Sequence, residues 1–226
     1  MAIEWNKVKA VKIPEGDCKR VAINGTIVWE KSGLPSEYQQ VEYVEGTGTQ
    51  YIDLLFGFDD TDTIETRFSV DTSMGSDKYI NSPKTWNNNK NRFGMGVHSA
   101  SGSGYCVGFG DRATNTTFLS PRTRNDGEFH MWTYSNREFL ISDLECGLDV
   151  SNITFGGTTA NLRLLYGYNA PTKCRIASYH HVKTGAEYNL VPCYRKSDGE
   201  IRMYDLVNGV FYTNSGSGTF IKGEDV

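Results

Sequence analysis

Hydrophobic and polar residues alternate with a period of two through most of the chain. The pattern is cleanest between Ile64 and Asp71, where Ile64, Thr66, Phe68 and Val70 fall on one side and Glu65, Arg67, Ser69 and Asp71 on the other. Successive side chains of a strand point to opposite faces, so this spacing predicts a strand with one face on a core and one in water. Similar, shorter runs recur at Arg92–Val97, Tyr105–Phe109, His130–Tyr134, Glu138–Ile141, Leu162–Tyr166, Arg175–Val182 and Tyr188–Tyr194. Trp132 and Tyr134 share one side of such a run and are expected in the core. No window long enough for a stable helix carries a helical stripe. Asp198-Gly199 and Asn208-Gly209 each separate two β-prone runs and predict hairpins, because tight hairpin turns need positive φ at their central residues.

Punctuation divides the chain. Val8–Ile13 reads as a strand, and Arg20–Ile23, Asn24-Gly25 and Thr26–Trp29 read as a hairpin. Residues 1–31 are therefore expected to form a small β-hairpin module for attachment or assembly, because two or three strands are marginal alone. Residues 32–36 read as a linker and 37–226 as one large domain. Many short strands between Gly, Asn, Asp and Ser turns predict an all-β, antiparallel sandwich or barrel. Ser73–Asn91 and His98–Gly104 break the alternation and read as loops, where binding residues commonly sit.

Composition narrows the function. A length of 226 residues suits one β domain plus something small. Aromatics at 12% and 24 glycines fit half-buried pleated surfaces joined by tight turns. The net charge of -4, without a clustered basic face, argues against a nucleic-acid partner. No apolar run is long enough for a membrane-inserting helix, and Met1–Trp5 lacks the features of a signal peptide. The five cysteines (18, 106, 146, 174 and 193) are odd in number with no CxxC pair, which predicts buried thiols and a reducing site of synthesis.

Catalytic patterns are missing. A glycosidase-like Glu-x-Asp-x-x-Glu does not occur: Glu15-Gly-Asp17 has the first two positions but is followed by Arg20. There is no Gly-x-Ser-x-Gly elbow. His180 and His181 are adjacent on a predicted strand, so they face opposite ways, while His98 and His130 are isolated. The expectation is a protein that is not an enzyme, with a glycoside hydrolase as the remote alternative. Asp59, Asp60 and Asp62 read as a solvated turn, with a calcium site as the alternative, and no other cofactor is expected. Trp86 beside Asn87, Asn88 and Asn89 combines an aromatic face with amide hydrogen-bonding groups, the pairing that grips a sugar. Tyr105, Tyr168 and Asn169 are further candidates, and the alternative is that Trp86 only anchors its own loop.

Two stretches resemble a known family. Leu34-Pro-Ser-Glu-Tyr-Gln-Gln-Val-Glu-Tyr-Val-Glu-Gly-Thr-Gly-Thr-Gln-Tyr-Ile-Asp53 is similar to the opening of laminin-G-like, concanavalin-like jelly-roll domains in proteins of phages and prophages of gut bacteria. Leu190–Arg195, followed by Met203–Phe220, resembles the closing hairpin of the same domains, and Asp126–His130 resembles the start of a central strand. Leu54 departs from the threonine usual there. The resemblance implies a jelly-roll sandwich within a virion structural protein, such as a tail, fibre or capsid-surface component made in the bacterial cytoplasm. It further implies other virion proteins as partners, a homo-oligomer, and a host-surface or mucosal glycan as ligand. A purely structural decoration protein without a glycan ligand is the second expectation.

Overall fold

The computed structural model describes residues 33–70, 78–83, 92–98, 104–110, 127–141, 146–158, 160–167 and 170–226, and the backbone alone of 12–13, 16–17, 20–23, 26–30 and 117–118. Among these residues the protein is all-β, and every strand pairing is antiparallel. None forms a helix long and apolar enough to cross a membrane.

In chain order the first strands are β1 (Lys12–Ile13), β2 (Gly16–Asp17), β3 (Arg20–Ile23) and β4 (Thr26–Glu30). They are followed by β5 (Tyr38–Gln40), β6 (Val44–Thr47), β7 (Ile52–Asp53), β8 (Thr63–Val70), β9 (Lys78–Pro83), β10 (Arg92–His98), β11 (Gly104–Gly110) and β12 (Thr117–Phe118). Next come β13 (His130–Ser135), β14 (Glu138–Ile141), β15 (Cys146–Asp149), β16 (Leu162–Leu164), β17 (Tyr166–Gly167) and β18 (Ala170–Pro171). The chain closes with β19 (Lys173–Lys183), β20 (Ala186–Arg195), β21 (Ile201–Asp205), β22 (Phe211–Tyr212) and β23 (Ile221–Lys222). β1 pairs with β2, and β3 with β4, where Arg20 lies opposite Glu30 and Ile23 opposite Thr26.

Two larger sheets carry the rest. The smaller runs β12-β11-β10-β9-β16-β7, and the larger runs β15-β14-β13-β8-β19-β20-β21-β22, with β5, β6 and β23 attached beside β19 and β20. Their inner faces meet through rings: Phe93 stacks on Phe139 at 6.0 Å, Tyr105 meets Trp132 at 5.4 Å, and Phe109 meets Phe139 at 5.8 Å. The arrangement is sandwich-like, with one core between two layers. The alternation in β8 holds for most of its length: Ile64, Thr66, Phe68 and Val70 are buried, and Glu65 and Arg67 face water, but Ser69, expected on the water face, is buried with its Oγ donating to the Gly127 carbonyl at 2.6 Å. Trp132 and Tyr134 are both 0% exposed.

Both legible turns close hairpins, β20 to β21 and β21 to β22, with Gly199 and Gly209 at φ 73 and 69. A second expectation fails. Within Ser73–Asn91, read as a loop, Lys78–Pro83 is an inner strand of the smaller sheet, bonded to both β10 and β16. Its apolar content is thin, and its buried polar residues are held by specific bonds: Asn81 Oδ1 accepts from the Met95 N–H at 2.9 Å, and Ser82 Oγ donates to the Tyr166 carbonyl at 3.0 Å. Within the segment read as a linker, Leu34 packs against a second apolar cluster around Tyr38, Cys193 and Tyr204.

Candidate functional site

A connected group of ionisable residues lies inside the fold. Asp62, one residue ahead of β8, is 1% exposed, and Tyr179 and His181 point inward from β19. Asp62 Oδ2 is 2.9 Å from His181 Nε2 and accepts from Lys183 Nζ at 2.7 Å and from the Asp59 N–H at 2.8 Å. His181 Nδ1 is 3.1 Å from the Tyr179 hydroxyl, and Lys183 Nζ also donates to the Gly57 carbonyl at 2.9 Å. An ionised Asp62 accepts the Nε2–H, so Nδ1 is the acceptor and Tyr179 the donor.

Burial pushes the His181 pKa below 6.5, and Asp62 offsets only part of this. The ring is therefore neutral near pH 7. Burial alone would raise Asp62, but the hydrogen bonds from His181, Lys183 and the Asp59 backbone outweigh it and hold the carboxyl below 3.8. Tyr179 is pushed well above 10.0, first by burial and then by the Asp62 charge. A tyrosine, a histidine and an aspartate in series have the parts of a proton relay. Here both ring nitrogens of His181 are engaged, its side chain is fully covered, and Phe56, Phe58 and Tyr188 pack around it at 5.2, 6.3 and 6.4 Å. The geometry makes the group a clamp between the segment before β8 and the end of β19.

The three aspartates separate. Asp59 is exposed, Asp60 accepts from Arg137, and Asp62 turns inward to His181 and Lys183. Among the described residues no three His, Cys, Asp or Glu side chains gather as a metal would require. Tyr105, expected to offer its ring to a ligand, is 2% exposed. It follows Gly104 in β11, on the inward face with Val107 and Phe109, and its ring meets His130 at 5.4 Å as well as Trp132. Its place just after a predicted loop concealed that register. Trp86, Asn87, Asn88, Asn89, Tyr168 and Asn169 lie outside the described residues.

Cys106, Cys174 and Cys193 are buried free thiols. Burial pushes Cys193 up to about 12 and Cys174 higher still, so neither forms a nucleophilic thiolate near pH 7.

Among the cation–aromatic groups of the described residues are two that the sequence reading missed. On the smaller sheet, Arg163 sits between Tyr51 and Tyr166 at 4.5 and 4.8 Å, and its Nε donates to Asp53 at 3.3 Å. On the larger sheet, Arg67 lies over Phe129 at 5.4 Å, Phe129 is 5.6 Å from Tyr43, and Arg175 lies over Tyr43 at 5.2 Å. Residues from four separate segments meet in that row. Only the outward register of Arg67 was visible in the alternation of β8.

The folded chain thus belongs to the class of all-β proteins built of antiparallel sheets. No family model, no curated protein and no solved structure matches it.

Proposed function

We propose that this is a non-catalytic binding protein: a jelly-roll sandwich of the laminin-G-like, concanavalin-like type that presents a glycan-binding surface on a phage virion, as a tail, fibre or capsid-surface component. One observation carries the reading. The groups best suited to chemistry, His181, Asp62, Tyr179 and the thiols of Cys174 and Cys193, point into the core with their polar atoms engaged or their pKa values raised by burial, whereas Arg67 lies over Phe129 on the outer face of the larger sheet from an exposed position. A buried, satisfied network fixes a core, and exposed aromatic and guanidinium groups bind.

In this reading residues 1–31 join the protein to other virion proteins or to further copies of itself, and the loop carrying Trp86 contributes to glycan contact. The resemblance at Leu34–Asp53 and Leu190–Phe220 supports the virion setting. The first test is the solution mass of the intact protein and of a form lacking residues 1–31, with the intact protein then screened on bacterial and mucin glycans. An oligomer that dissociates on truncation, together with selective glycan binding weakened by Trp86→Ala, is the expected result. A folded protein that binds no glycan overturns the ligand reading, and an unchanged mass after truncation overturns the assembly role. Melting with and without a chelator tests calcium, because a ligand that binds only the native state raises its melting temperature.

A further inference from the structure

The binding reading above gains a ligand class and a location from the outer face of the larger sheet. We propose that Arg67, with Phe129, Tyr43 and Arg175, docks a carboxylate-bearing glycan, one containing uronic or sialic acid.

Charge is the first argument. Among arginines whose side chains are described, Arg137 pairs with Asp60, Arg163 with Asp53, Arg175 with Glu45, Arg195 with Asp198 and Arg202 with Glu200. Arg67 has no such carboxylate among the described residues: its guanidinium rests on the Phe129 ring from an exposed mid-strand position. A planar guanidinium with its donor edge open is the side chain best shaped to take a carboxylate through two parallel hydrogen bonds.

The surroundings form the second argument. Phe129, Met131 and Tyr43 are each half-buried, and Met131 lies opposite Arg67 across the β13–β8 pair. Phe129 and Tyr43 are tilted by 38° at 5.6 Å, so together they offer adjoining apolar surfaces to the C–H faces of consecutive sugars. Arg175, already bonded to Glu45 at 2.7 Å, closes the row beyond Tyr43.

The third argument separates a glycan from an acidic peptide. β8 is paired along its length with β13 on one side and β19 on the other. Its main chain is committed to those ladders, so an extended peptide cannot be gripped here by strand addition, the mode in which backbone bonds supply affinity. Recognition at this place rests on guanidinium, ring and hydroxyl groups, which suit a sugar acid.

The experiment uses the full chain and measures binding to oligogalacturonate and sialyllactose, to their carboxyl-reduced counterparts, to lactose, and to a polyglutamate peptide. The expected result is binding to at least one acidic glycan. That binding should fall by about tenfold or more on carboxyl reduction and by a similar factor in Arg67→Ala. Arg195→Ala, at the end of β20, should leave it unchanged, and rising salt should weaken it. Phe129→Tyr keeps a ring under the guanidinium and should retain binding. Acidic-glycan binding that Arg67→Ala does not weaken overturns the proposal, as does polyglutamate binding as tightly as the glycans. Binding only to neutral or carboxyl-reduced sugars overturns this proposal and leaves the glycan-binding reading standing. A folded protein that binds none of the glycans overturns both.

Discussion

At the scale of single residues, the Asp62–His181 contact sets how the protein responds to acid. His181 holds its proton less tightly when folded than its ordinary 6.5, because burial penalises the charged ring. As pH falls through 6.5 the unfolded chain takes up a proton that the folded one refuses, so stability declines with falling pH. Asp62 acts in the same direction lower down: its folded pKa lies below 3.8, so its contribution is full above that value and is lost as pH falls through the folded pKa. Denaturant midpoints measured from pH 8 to pH 3 should therefore fall steadily below about 6.5. In His181→Gln the upper part of that slope should vanish, and an unaltered slope would disprove the assignment. Asp62→Asn removes the charge facing the partly buried Lys183 ammonium and should cost about 3–5 kcal/mol, the usual consequence of breaking a buried pair. A loss below about 1 kcal/mol would mean that Lys183 swings free to water. His181's inward position was hidden in the sequence for a definite reason. Cys174 and Ile176 point inward, and strict alternation from them would turn His180 to the core. The ladder with β8 shifts between Ile176 and Ser178, which reverses the parity, so Tyr179 and His181 are buried and His180 lies outside against Glu187. A bulge of one residue leaves no mark in a pattern of hydrophobicity.

At the scale of elements, turns and their anchors decide which strands meet. The β13–β14 hairpin turns through Asn136 and Arg137, both at positive φ, 50 and 62. The Asn-Gly pairs announce their hairpins because glycine meets this requirement without strain, whereas Arg137 carries no such signal. It is held by its side chain, which bonds Asp60 and the Ile153 carbonyl and lies over Phe109 at 5.6 Å. Arg137→Lys keeps the charge and loses the fork, so it should destabilise by about 1.5–3 kcal/mol in equilibrium unfolding. Equal stability would show the turn to be self-sufficient. Gly110, at the end of β11 with φ 69, is a second fixed point: a Cβ there would stand 2.3 Å from the Thr154 carbonyl oxygen. Gly110→Ala should therefore lower the melting temperature sharply, and a melting temperature within a degree or so of the parent protein would contradict that contact. β9 shows the opposite limit of legibility. Its polar Asn81 and Ser82 read as loop residues, yet each is stabilised in the core by a bond to a distant backbone group that no local pattern reveals.

At the scale of the molecule, the early and late parts of the large domain complete one sheet. β6 pairs with β23, β5 with β20, Val41 bridges to Asp225, and the Val226 N–H donates to the Gln40 carbonyl at 3.1 Å. Phe220 reaches the core at 5% exposure, and Gly216 lies so close to Thr49 that a Cβ would meet its carbonyl oxygen at 2.1 Å. Removing residues 215–226 should expose Val44 and the edge of β6 and leave a chain that binds hydrophobic dye. A truncated protein that melts cooperatively near the parent temperature would show this closure to be dispensable. The all-β class was plain in the alternation, because each strand writes its own period. Which strands become neighbours was not, since pairings across more than a hundred residues depend on the packing of the finished core. Contacts so distant in sequence also predict slow folding.

The same closure has a consequence during translation. The strand at Val44–Thr47 leaves the ribosome well before its neighbour at Ile221–Lys222 is made. Until that late segment clears the exit tunnel, the early strand presents open backbone bonds beside an unfilled core. A nascent chain stalled short of Phe220 is then a natural client for chaperones, and a premature stop codon there yields a protein marked for degradation instead of a shortened working one.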